Sequence, residues 1–469
     1  MTIEKAIVEA IGKEPMVLND YADLWLQWYK GNVEKFHNYE VYNGKKTIGC
    51  ERKTLNMPKK ICEDWANLLL NEKTDIVFGN DEQHEKAQEL LNKVNFWTKG
   101  NEGIEKTFAL GTGAFVEGFD ENGKARFQFV NRLKIYPITM EQDKITECAF
   151  VNVNSTTTTI QIHHKDESGY YLITNLFYEK QQNDTSENIG FLNAERSSVT
   201  PTGDKNPWFQ LLKPNVANNL DINSPMGISV FANALDVLQG VDLAYDGFCE
   251  EMRLGQARIF VNKKLIKYDA DGKRYTFDVN EKGFYYIGES EDEDRQPLTF
   301  YNPTLRTDAY FAGINNALNL LSSKVGFGEN HYRFDKGGIA TATQVVSENS
   351  EMFRTLKKHE IILNDVLIEA VKALMYISNN FTDDGYNFDL NENLEIKFDD
   401  SIIEDKETQK MTDRQDVNLG VMSKAEYRAK WYNEDEETAK QKLAEIEEAN
   451  REEQKNWFSS DEEQLSEDV

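Results

Sequence analysis

The sequence predicts an α+β fold, and three observations lead to this class. Apolar residues recur at helical spacing in several segments before residue 110 and again between residues 225 and 380. Residues 113–180 instead alternate apolar and polar side chains, as half-buried strands do, and a second strand-like block lies at 258–300. A chain of 469 residues also exceeds one ordinary hydrophobic core, so about two to four substructures are expected.

Four helices are predicted in the first part of the chain, at residues 1–30, 58–72, 82–95 and 101–110. Gly31 is the expected C-cap of the first helix, and Pro58 suits the first turn of the second. The aromatic residues near the end of the first helix, Trp25, Trp28 and Tyr29, are expected in the core and not as a stacking platform for bases. The basic side chains Arg52, Lys53, Lys59 and Lys60 are expected to be solvated, with DNA binding as the alternative.

The strands begin with a hairpin. "GAFVEGFDENGKARFQFVN" alternates on both sides of Asp120–Gly123, which is a strong turn signal. Strand-like runs continue over residues 147–180, and the polar stretch 181–207 is predicted to be a long surface loop.

The second half of the chain returns to helices. A helix is predicted over 225–256, with Ser224–Pro225 as its start signal, and another over 304–325, with the β-rich insert between them. The longest helix is predicted over about 341–380, which corresponds to a rod about 60 Å long at 1.5 Å per residue. The strand "LEIKFDD" and a polar helix pair at about 404–453 follow.

Charge and cysteine content exclude several classes of protein. The net charge is −28, from 81 acidic and 53 basic residues, whereas proteins that grip duplex DNA normally present a basic surface. The four cysteines are scattered, which supports neither a disulfide framework nor a zinc site and is typical of a reducing compartment. No apolar run approaches the roughly 18 residues that span a bilayer, and the first residues lack the features of a signal peptide.

The sequence indicates no catalytic, cofactor-binding or metal-binding residues. The "KGG" at 336–338 lacks the GxxxxGK[ST] pattern of a phosphate-binding loop, because its lysine precedes the glycines. His163 and His164 lie near Asp166, but adjacent strand residues point to opposite faces, which argues against a shared metal. The "DADG" at 269–272 lacks the closing Glu of a calcium loop, so a turn is predicted there.

The order of these parts resembles the portal proteins of tailed bacteriophages, of the long-tailed type. Four stretches carry the likeness: residues 28–76, residues 109–150, the helix, β-insert, helix, glycine loop and long helix from 225 to 380, and the stretch from Leu394 into "KLAEIEEANREEQ". The likeness spans nearly the whole chain, and its specificity comes from the series and not from any single motif.

The resemblance implies a portal fold with a mixed α/β wing, long stem helices, a β-rich clip insert, a long wing helix and a C-terminal helical crown. The implied parts are the wing at 1–224, stem helices at 225–257 and 304–325, the clip at 258–303, the tunnel loop at 326–340, the long wing helix and closing strand at 341–400, and the crown with an acidic tail at 401–469. The acidic residues concentrated after residue 434 read most simply as a solvated tail.

The resemblance also implies a function. Family portals are rings, usually of twelve subunits, at one capsid vertex, and double-stranded DNA passes through their channel with weak, non-specific contacts. The implied partners are the terminase large subunit, a head–tail adaptor protein, and the major capsid and scaffolding proteins, with no membrane partner. The expected location is the portal vertex of the virion, after assembly in the cytoplasm of the host bacterium. No enzymatic activity and no cofactor are implied.

Two groups of residues are candidate contact sites. In the tunnel loop, His331, Arg333 and Lys336 are placed to touch DNA phosphates transiently, and Gly337 and Gly338 give the backbone freedom to move. An ordinary helix-entry turn with solvated charges remains open for the same residues. In the clip, a basic group could meet an acidic partner or be merely solvated: Lys263, Lys264 and Lys267.

Two other functions remain open at this stage. A cytosolic nucleic-acid-processing enzyme with a dispersed site would present a discrete pocket in a compact monomer or dimer. Another virion scaffold or adaptor protein could also be built on long helices. The arrangement of two helices around a small β-rich insert argues against both.

Overall fold

The computed structural model describes residues 1–18, 21–180, 188–262, 284–287, 298–334, 342–399, 406–432, 434–435, 437–446 and 448. The chain divides into two compact units: the first comprises Met1–Gly337 and Ser350–Asp399, and the second Gly338–Asn349 and Asp400–Val469. No helix in these described ranges is long and apolar enough to cross a membrane.

Residues 437–446 are helical, and eleven further α-helices are assigned within the described ranges. They are α1 Ile3–Ile11, α2 Ala22–Tyr29, α3 Glu34–His37, α4 Met57–Leu69, α5 Asp81–Lys93, α6 Phe96–Leu110, α7 Leu235–Leu254, α8 Thr307–Lys324, α9 Ala342–Phe381, α10 Lys406–Leu419 and α11 Lys424–Tyr432.

The strands assigned in the same ranges alternate with these helices. They are β1 Asn38–Tyr42, β2 Thr47–Glu51, β3 Asp75–Phe78, β4 Gly113–Phe119, β5 Ala125–Asn131, β6 Ile135–Glu141, β7 Lys144–Val153, β8 Thr157–Lys165, β9 Tyr171–Glu179, β10 Phe191–Leu192, β11 Ser198–Pro201, β12 Phe209–Leu212, β13 Arg258–Asn262, β14 Phe284–Ile287, β15 Leu298–Tyr301 and β16 Leu394–Lys397.

These described strands form five sheets. The largest has the order β10-β9-β8-β7-β6, with β11 also paired to β9, and a second has the order β12-β4-β5. In a third, β13 pairs in parallel with β14 and antiparallel with β15. Two-stranded pairs are formed by β1 with β2 and by β16 with β3. The α+β class predicted from the sequence is therefore confirmed.

The first 30 residues are not one helix, contrary to the prediction. Gly12 follows α1 with a φ of 71° and donates its N–H to the Val8 carbonyl, which ends the helix. Pro15 follows, and the chain is helical again only from α2. Helix α1 instead packs on the largest sheet, where Ala6 and Ile7 are fully buried. The aromatic prediction holds for Trp25 and Trp28, which are buried.

Helix α6 packs against the β4–β5 hairpin on one side and against α4 on another. As predicted, α4 has Pro58 in its first turn and buries Ile61, Trp65 and Leu69. Helix α6 begins at Phe96, five residues before the predicted start. At Gly103, a Cβ would come within 2.7 Å of the Phe115 ring, so only glycine lets the helix approach the sheet this closely. The predicted turn of this hairpin is confirmed, with Gly123 at a φ of 69°.

The helix predicted from Ser224–Pro225 begins ten residues later, at Leu235. The intervening segment uses its backbone hydrogen bonds elsewhere: the Gly227 N–H donates to Thr112 Oγ1 at 3.0 Å and the Val230 N–H donates to the Phe108 carbonyl at 3.0 Å. The apolar residues that suggested helical spacing, such as Ile228 and Phe231, are buried in this irregular conformation. Tertiary hydrogen bonding therefore outweighs the local helix signal.

Two other features differ from the predicted pattern. Within the stretch 181–207, residues 181–187 lie outside the described residues, and the remainder contains β10 and β11 in place of a continuous loop. The hairpin of β1 and β2 was not predicted, although "NYEVYNGKKTIGCE" alternates around Asn43–Gly44, a strong hairpin signal. In contrast, the predicted long helix is confirmed by α9, and the closing strand by β16.

The second unit contains the predicted polar helices α10 and α11. In its described part only two side chains, Ala425 and Ala439, are buried. Ion pairs supply many of its contacts: Asp413 accepts from Lys430 Nζ and from the Trp431 indole N–H, both at 2.8 Å. Glu434 accepts from Arg428 at 3.0 Å and also pairs with Lys442.

Candidate functional site

Helices α7 and α8 lie side by side and carry the three-stranded sheet between them along the chain. Arg306, just before α8, donates to both carboxylate oxygens of Glu251 near the end of α7, at 3.1 and 2.7 Å. The pair joins the two ends of the insert. At Gly255 a Cβ would come within 2.7 Å of the Glu251 carbonyl oxygen and would also meet the Leu305 side chain, so a larger residue there would require the chain to shift.

Aromatic rings join the two helices. Phe248 of α7 contacts Tyr310 and Phe311 of α8, with ring centroids 6.2 and 5.3 Å apart. At Gly247 a Cβ would come within 3.1 Å of the Tyr310 ring. The absence of a side chain at Gly247 therefore lets the two helices lie close together. Several large apolar side chains on the pair nevertheless face solvent in the single chain: Leu243, Met252, Leu254, Phe311 and Leu320. A solvent-exposed set of this kind is typical of a surface that contacts another protein.

Asp242 anchors α7 to the first part of the chain. Its buried carboxylate accepts from Thr54 Oγ1 and from the Leu55 N–H, both at 2.9 Å, and lies 3.1 Å from His37 Nε2. His37 Nδ1 accepts the Val33 N–H at 2.7 Å, so Nε2 carries the proton and donates to Asp242. The carboxylate is therefore satisfied by three donors from one short region.

The segment that follows α8 is fixed to α4. Phe327 stacks on Trp65 with centroids 4.3 Å apart, and the Trp65 indole N–H donates to the Val325 carbonyl at 3.3 Å. Tyr332 is buried and donates its hydroxyl to Asp64 at 2.8 Å. Burial, together with Asp64, raises the pKa of this hydroxyl. The first part of the predicted tunnel loop is thus packed against the fold.

The sequence-predicted contact residues are only partly described. The His331 ring stacks on Phe327 with centroids 4.3 Å apart, and Arg333 is half-buried one residue beyond Tyr332. Three of the candidate residues in the predicted tunnel loop and the three in the predicted clip lie outside the described residues: Lys336, Gly337, Gly338, Lys263, Lys264 and Lys267. The structure therefore brings His331 and Arg333 together on one anchored segment and leaves DNA contact as a prediction.

His359 on α9 is a junction that the sequence analysis missed. Its ring lies 5.2 Å from Trp65 and 4.9 Å from Phe108, and Nδ1 accepts the Asn215 N–H at 3.0 Å. Burial lowers the pKa of His359 to about 3. A neutral imidazole therefore joins α9 to α4, α6 and the chain near Asn215. Its position on the apolar stripe of Met352, Leu356 and Leu363 was the available signal.

Two ionisable side chains are buried without hydrogen-bond partners among the described residues. His163 lies between Phe150 and Phe209, with centroids 5.5 and 5.3 Å away, and burial lowers its pKa to about 3. Glu117 of β4 is also fully enclosed, and burial raises the pKa of its carboxyl well above the usual value. His164, as expected, lies on the other face of its strand and contacts Thr174 at 3.0 Å.

Metal binding has no support in the described part of the chain, where no three His, Cys, Asp or Glu side chains converge. The features there that could carry a function are three. They are the α7–α8 pair, the Arg306–Glu251 ion pair at the base of the insert, and the anchored segment between α8 and the 40-residue helix α9.

Comparisons with known proteins bear on this geometry. A family model described as "Phage portal protein, SPP1 Gp6-like" matches residues 20–456. No curated protein matches the chain. One similar solved chain comes from "Virion of native gene transfer agent (GTA) particle", at 11% identity and a TM-score of 0.41, covering 92% of this chain and 98% of that one. Another comes from "Neck of native GTA particle computed with C12 symmetry", at 11% identity and a TM-score of 0.42, covering 91% and 97%. Of these findings the family match carries the weight, because it extends over most of the chain.

Proposed function

The chain belongs to the SPP1 Gp6-like family of phage portal proteins, which makes it a virion component, and we propose that copies of it form a ring that conducts genomic DNA into and out of the capsid. A ring of about twelve subunits is the proposed state, by analogy with the symmetry named for the similar neck structure. The family match favours this function over a nucleic-acid-processing enzyme and over a scaffold or adaptor protein.

The geometry of α7, α8 and their insert carries the proposal. In the proposed subunit, α7 and α8 are the stem, and the sheet of β13, β14 and β15 belongs to the clip at 258–303. The Arg306–Glu251 pair supports this assignment, because it fixes the base of the insert relative to both helices. The exposed apolar side chains on the pair would be covered by neighbouring subunits of the ring.

Docking partners are proposed for the clip. The terminase large subunit would bind there during packaging, and a head–tail adaptor protein would replace it afterwards. Lys263, Lys264 and Lys267 would offer ammonium groups to acidic side chains of these partners. The remaining proposed contacts are those of the wing with the major capsid and scaffolding proteins, made when the ring is assembled in the host cytoplasm.

The tunnel loop would have an anchored part and a moving part. Phe327 and Tyr332 hold its beginning against α4. Gly337 and Gly338 would let the following residues change conformation as DNA passes. His331, Arg333 and Lys336 would then touch successive phosphates only briefly. The long wing helix with its closing strand at 341–400 and the crown with its acidic tail at 401–469 complete the proposed subunit.

The acidic composition suits a channel through which DNA must slide. Tight binding of duplex DNA releases counterions from many neutralised phosphates. A chain of net charge −28 would instead repel the duplex from most of the wall, which keeps friction low. The proposed ring should therefore bind duplex DNA weakly.

Electron microscopy tests the proposal directly. Material assembled at high protein concentration, or isolated from virions, is expected to show rings with a central hole. Compact globular particles under both conditions would contradict the ring. A second measurement is duplex binding at physiological salt, where submicromolar affinity would contradict a sliding channel.

A further inference from the structure

The β1–β2 hairpin is a two-stranded sheet whose middle is left uncovered in the single chain. Tyr39 pairs with Cys50 and Val41 with Ile48 in its antiparallel register, so these four side chains share one face. Val41 and Ile48 are 46% and 39% exposed, and Tyr42 on the other face is 68% exposed. In the part of the chain that the structure describes, the two strands pair only with each other.

Both ends of the hairpin are nevertheless well defined. At its base, the Arg52 N–H donates to the His37 carbonyl at 2.7 Å, and the Arg52 guanidinium lies 4.8 Å from the Tyr39 ring. The Lys53 N–H donates to Asp246 of α7 at 3.0 Å. At its tip, the Asn43 N–H donates to the Lys46 carbonyl. The hairpin is therefore held in a fixed position on α7 by its base.

An isolated two-stranded sheet is marginal in water, and packing on a further surface is what normally stabilises it. Cross-strand pairs of β-branched residues such as Val41 and Ile48 contribute most when a neighbour covers them. The uncovered edges also offer unpaired backbone groups to a second chain. A fixed base with an apolar, uncovered middle is the arrangement expected of a docking element.

The charge of the hairpin indicates which molecule would cover its exposed face. Residues 38–53 carry four basic side chains, Lys45, Lys46, Arg52 and Lys53, and only two acidic ones, Glu40 and Glu51. The whole chain, in contrast, has a net charge of −28. The exposed tip lysines are thus opposite in sign to the net charge of another copy of the same protein.

We propose that the β1–β2 hairpin docks on an acidic, partly apolar surface of a neighbouring copy of this chain and closes the contact between subunits. The proposal rests on the ring put forward above and adds the element that joins its members. Duplex DNA is the less suitable occupant, because phosphates would satisfy the lysines but leave Val41 and Ile48 exposed to water.

A double substitution tests the apolar contact. Val41→Thr with Ile48→Thr keeps β-branched side chains in both strands and removes their apolar ends. The concentration needed for half-assembly of the ring is expected to rise about tenfold or more, with an unchanged circular dichroism spectrum of the unassembled chain. Glu40→Gln on the opposite face is the matched control, and it should assemble as well as the natural chain because it makes the hairpin more basic.

A photo-crosslinking residue at position 41 of the otherwise natural chain gives a second measurement that does not depend on a destabilising variant. Irradiated rings are expected to yield chain-to-chain adducts whose second peptide is rich in acidic residues. Adducts only within one chain, or to DNA or a different virion protein, would overturn the proposal.

The possible failures of the hairpin and of the ring are distinguishable. Rings that assemble equally well from the double variant overturn the hairpin contact and leave the portal ring in place. A natural chain that forms no rings at any concentration, and gives no chain-to-chain adducts, overturns both.

Discussion

Arg306 and Glu251 form a bidentate ion pair that joins the first residue before α8 to the last turns of α7. The Arg306 side chain is largely exposed and that of Glu251 is half-buried, so solvent screens much of their attraction and global stability should depend little on it. We predict that Arg306→Gln leaves the melting temperature almost unchanged but accelerates amide hydrogen exchange in β15 and the first turn of α8. Arg253→Gln is the control, since its partner Glu250 lies on the same helix. Equal exchange in the two variants would show that the Arg306 pair does not clamp the insert.

The stack of Phe327 on Trp65 should govern the order of the segment after α8. Phe327 is fully buried, so Phe327→Ala is expected to lower the free energy of unfolding by about 3–5 kcal/mol. Urea denaturation measures this loss, and limited proteolysis should reveal new cleavage between residues 325 and 334. Phe334→Ala, at an exposed position in the same segment, should change neither quantity. Resistance of the Phe327 variant to proteolysis would indicate that the segment is held by other contacts.

Acid should destabilise the protein through His163 and His359. Burial lowers the pKa of each to about 3, whereas an unfolded histidine titrates near 6.5. Between these values the unfolded chain binds more protons, so stability falls as pH decreases. Each histidine contributes a slope of about 1.4 kcal/mol per pH unit at most.

The variant His163→Met distinguishes the contribution of His163 to the acid dependence of stability from that of His359. Among the described residues neither His163 nitrogen has a hydrogen-bond partner, so a similar-sized apolar side chain loses no bond and removes one proton from the acid dependence. His359→Met loses the bond from Asn215 and should be destabilised by about 1–3 kcal/mol even at pH 7. Urea unfolding at pH 7 and pH 5 measures both effects. A His163→Met variant with the acid dependence of the natural chain would contradict the assignment.

Glu117 should make the protein less stable as pH rises, opposite to the effect of the two histidines. Burial raises its pKa, so the folded chain retains a proton that the unfolded chain has released. Stability is therefore complete below the unfolded pKa of about 4.3 and decreases as pH rises above it. Glu117→Gln keeps the shape of the side chain and is expected to flatten this alkaline decline. Glu369→Gln, which removes a nearby negative charge from α9, should have a smaller effect in the same direction. A Glu117→Gln chain that still loses stability like the natural one between pH 5 and pH 8 would exclude this role.

The sequence could predict what depends on local pattern and not what depends on distant partners. The sequence predicts helix α9 because apolar residues recur at helical spacing along most of its length, and it predicts the β4–β5 turn because Asp120–Gly123 is a strong local signal. The pattern does not predict the start of α7, because the N–H groups of Gly227 and Val230 donate to Thr112 and to the Phe108 carbonyl near the end of α6, over 110 residues earlier.

In the candidate site, too, the sequence predicts some residues from local pattern but not the contacts that hold them in place. His331 and Arg333 could be selected from charge and from neighbouring glycines, but their attachment through Phe327 and Tyr332 to α4 joins residues more than 250 positions apart. The His359 junction likewise depends on Asn215, 144 residues away. Neither relationship has a signature in a single sequence, because ring stacking and backbone-to-side-chain bonds leave no periodic pattern.

Arg333 offers a test of the proposed channel. If its guanidinium touches phosphates as DNA passes, Arg333→Gln should weaken the already weak duplex binding of the assembled ring. The slope of log K against log salt should also decrease, by up to about one for each phosphate that the guanidinium no longer neutralises. The effect should be equal for unrelated DNA sequences, since phosphate contacts carry no sequence information.

Lys86→Gln provides the comparison for Arg333→Gln, because Lys86 is already paired with Glu82 one turn away on α5. Its ammonium group is therefore engaged within the subunit, and its removal should leave the salt dependence of duplex binding unchanged. An identical salt slope for the natural ring and both variants would remove Arg333 from the channel wall. A decrease confined to Arg333→Gln would place the segment after α8 beside the duplex.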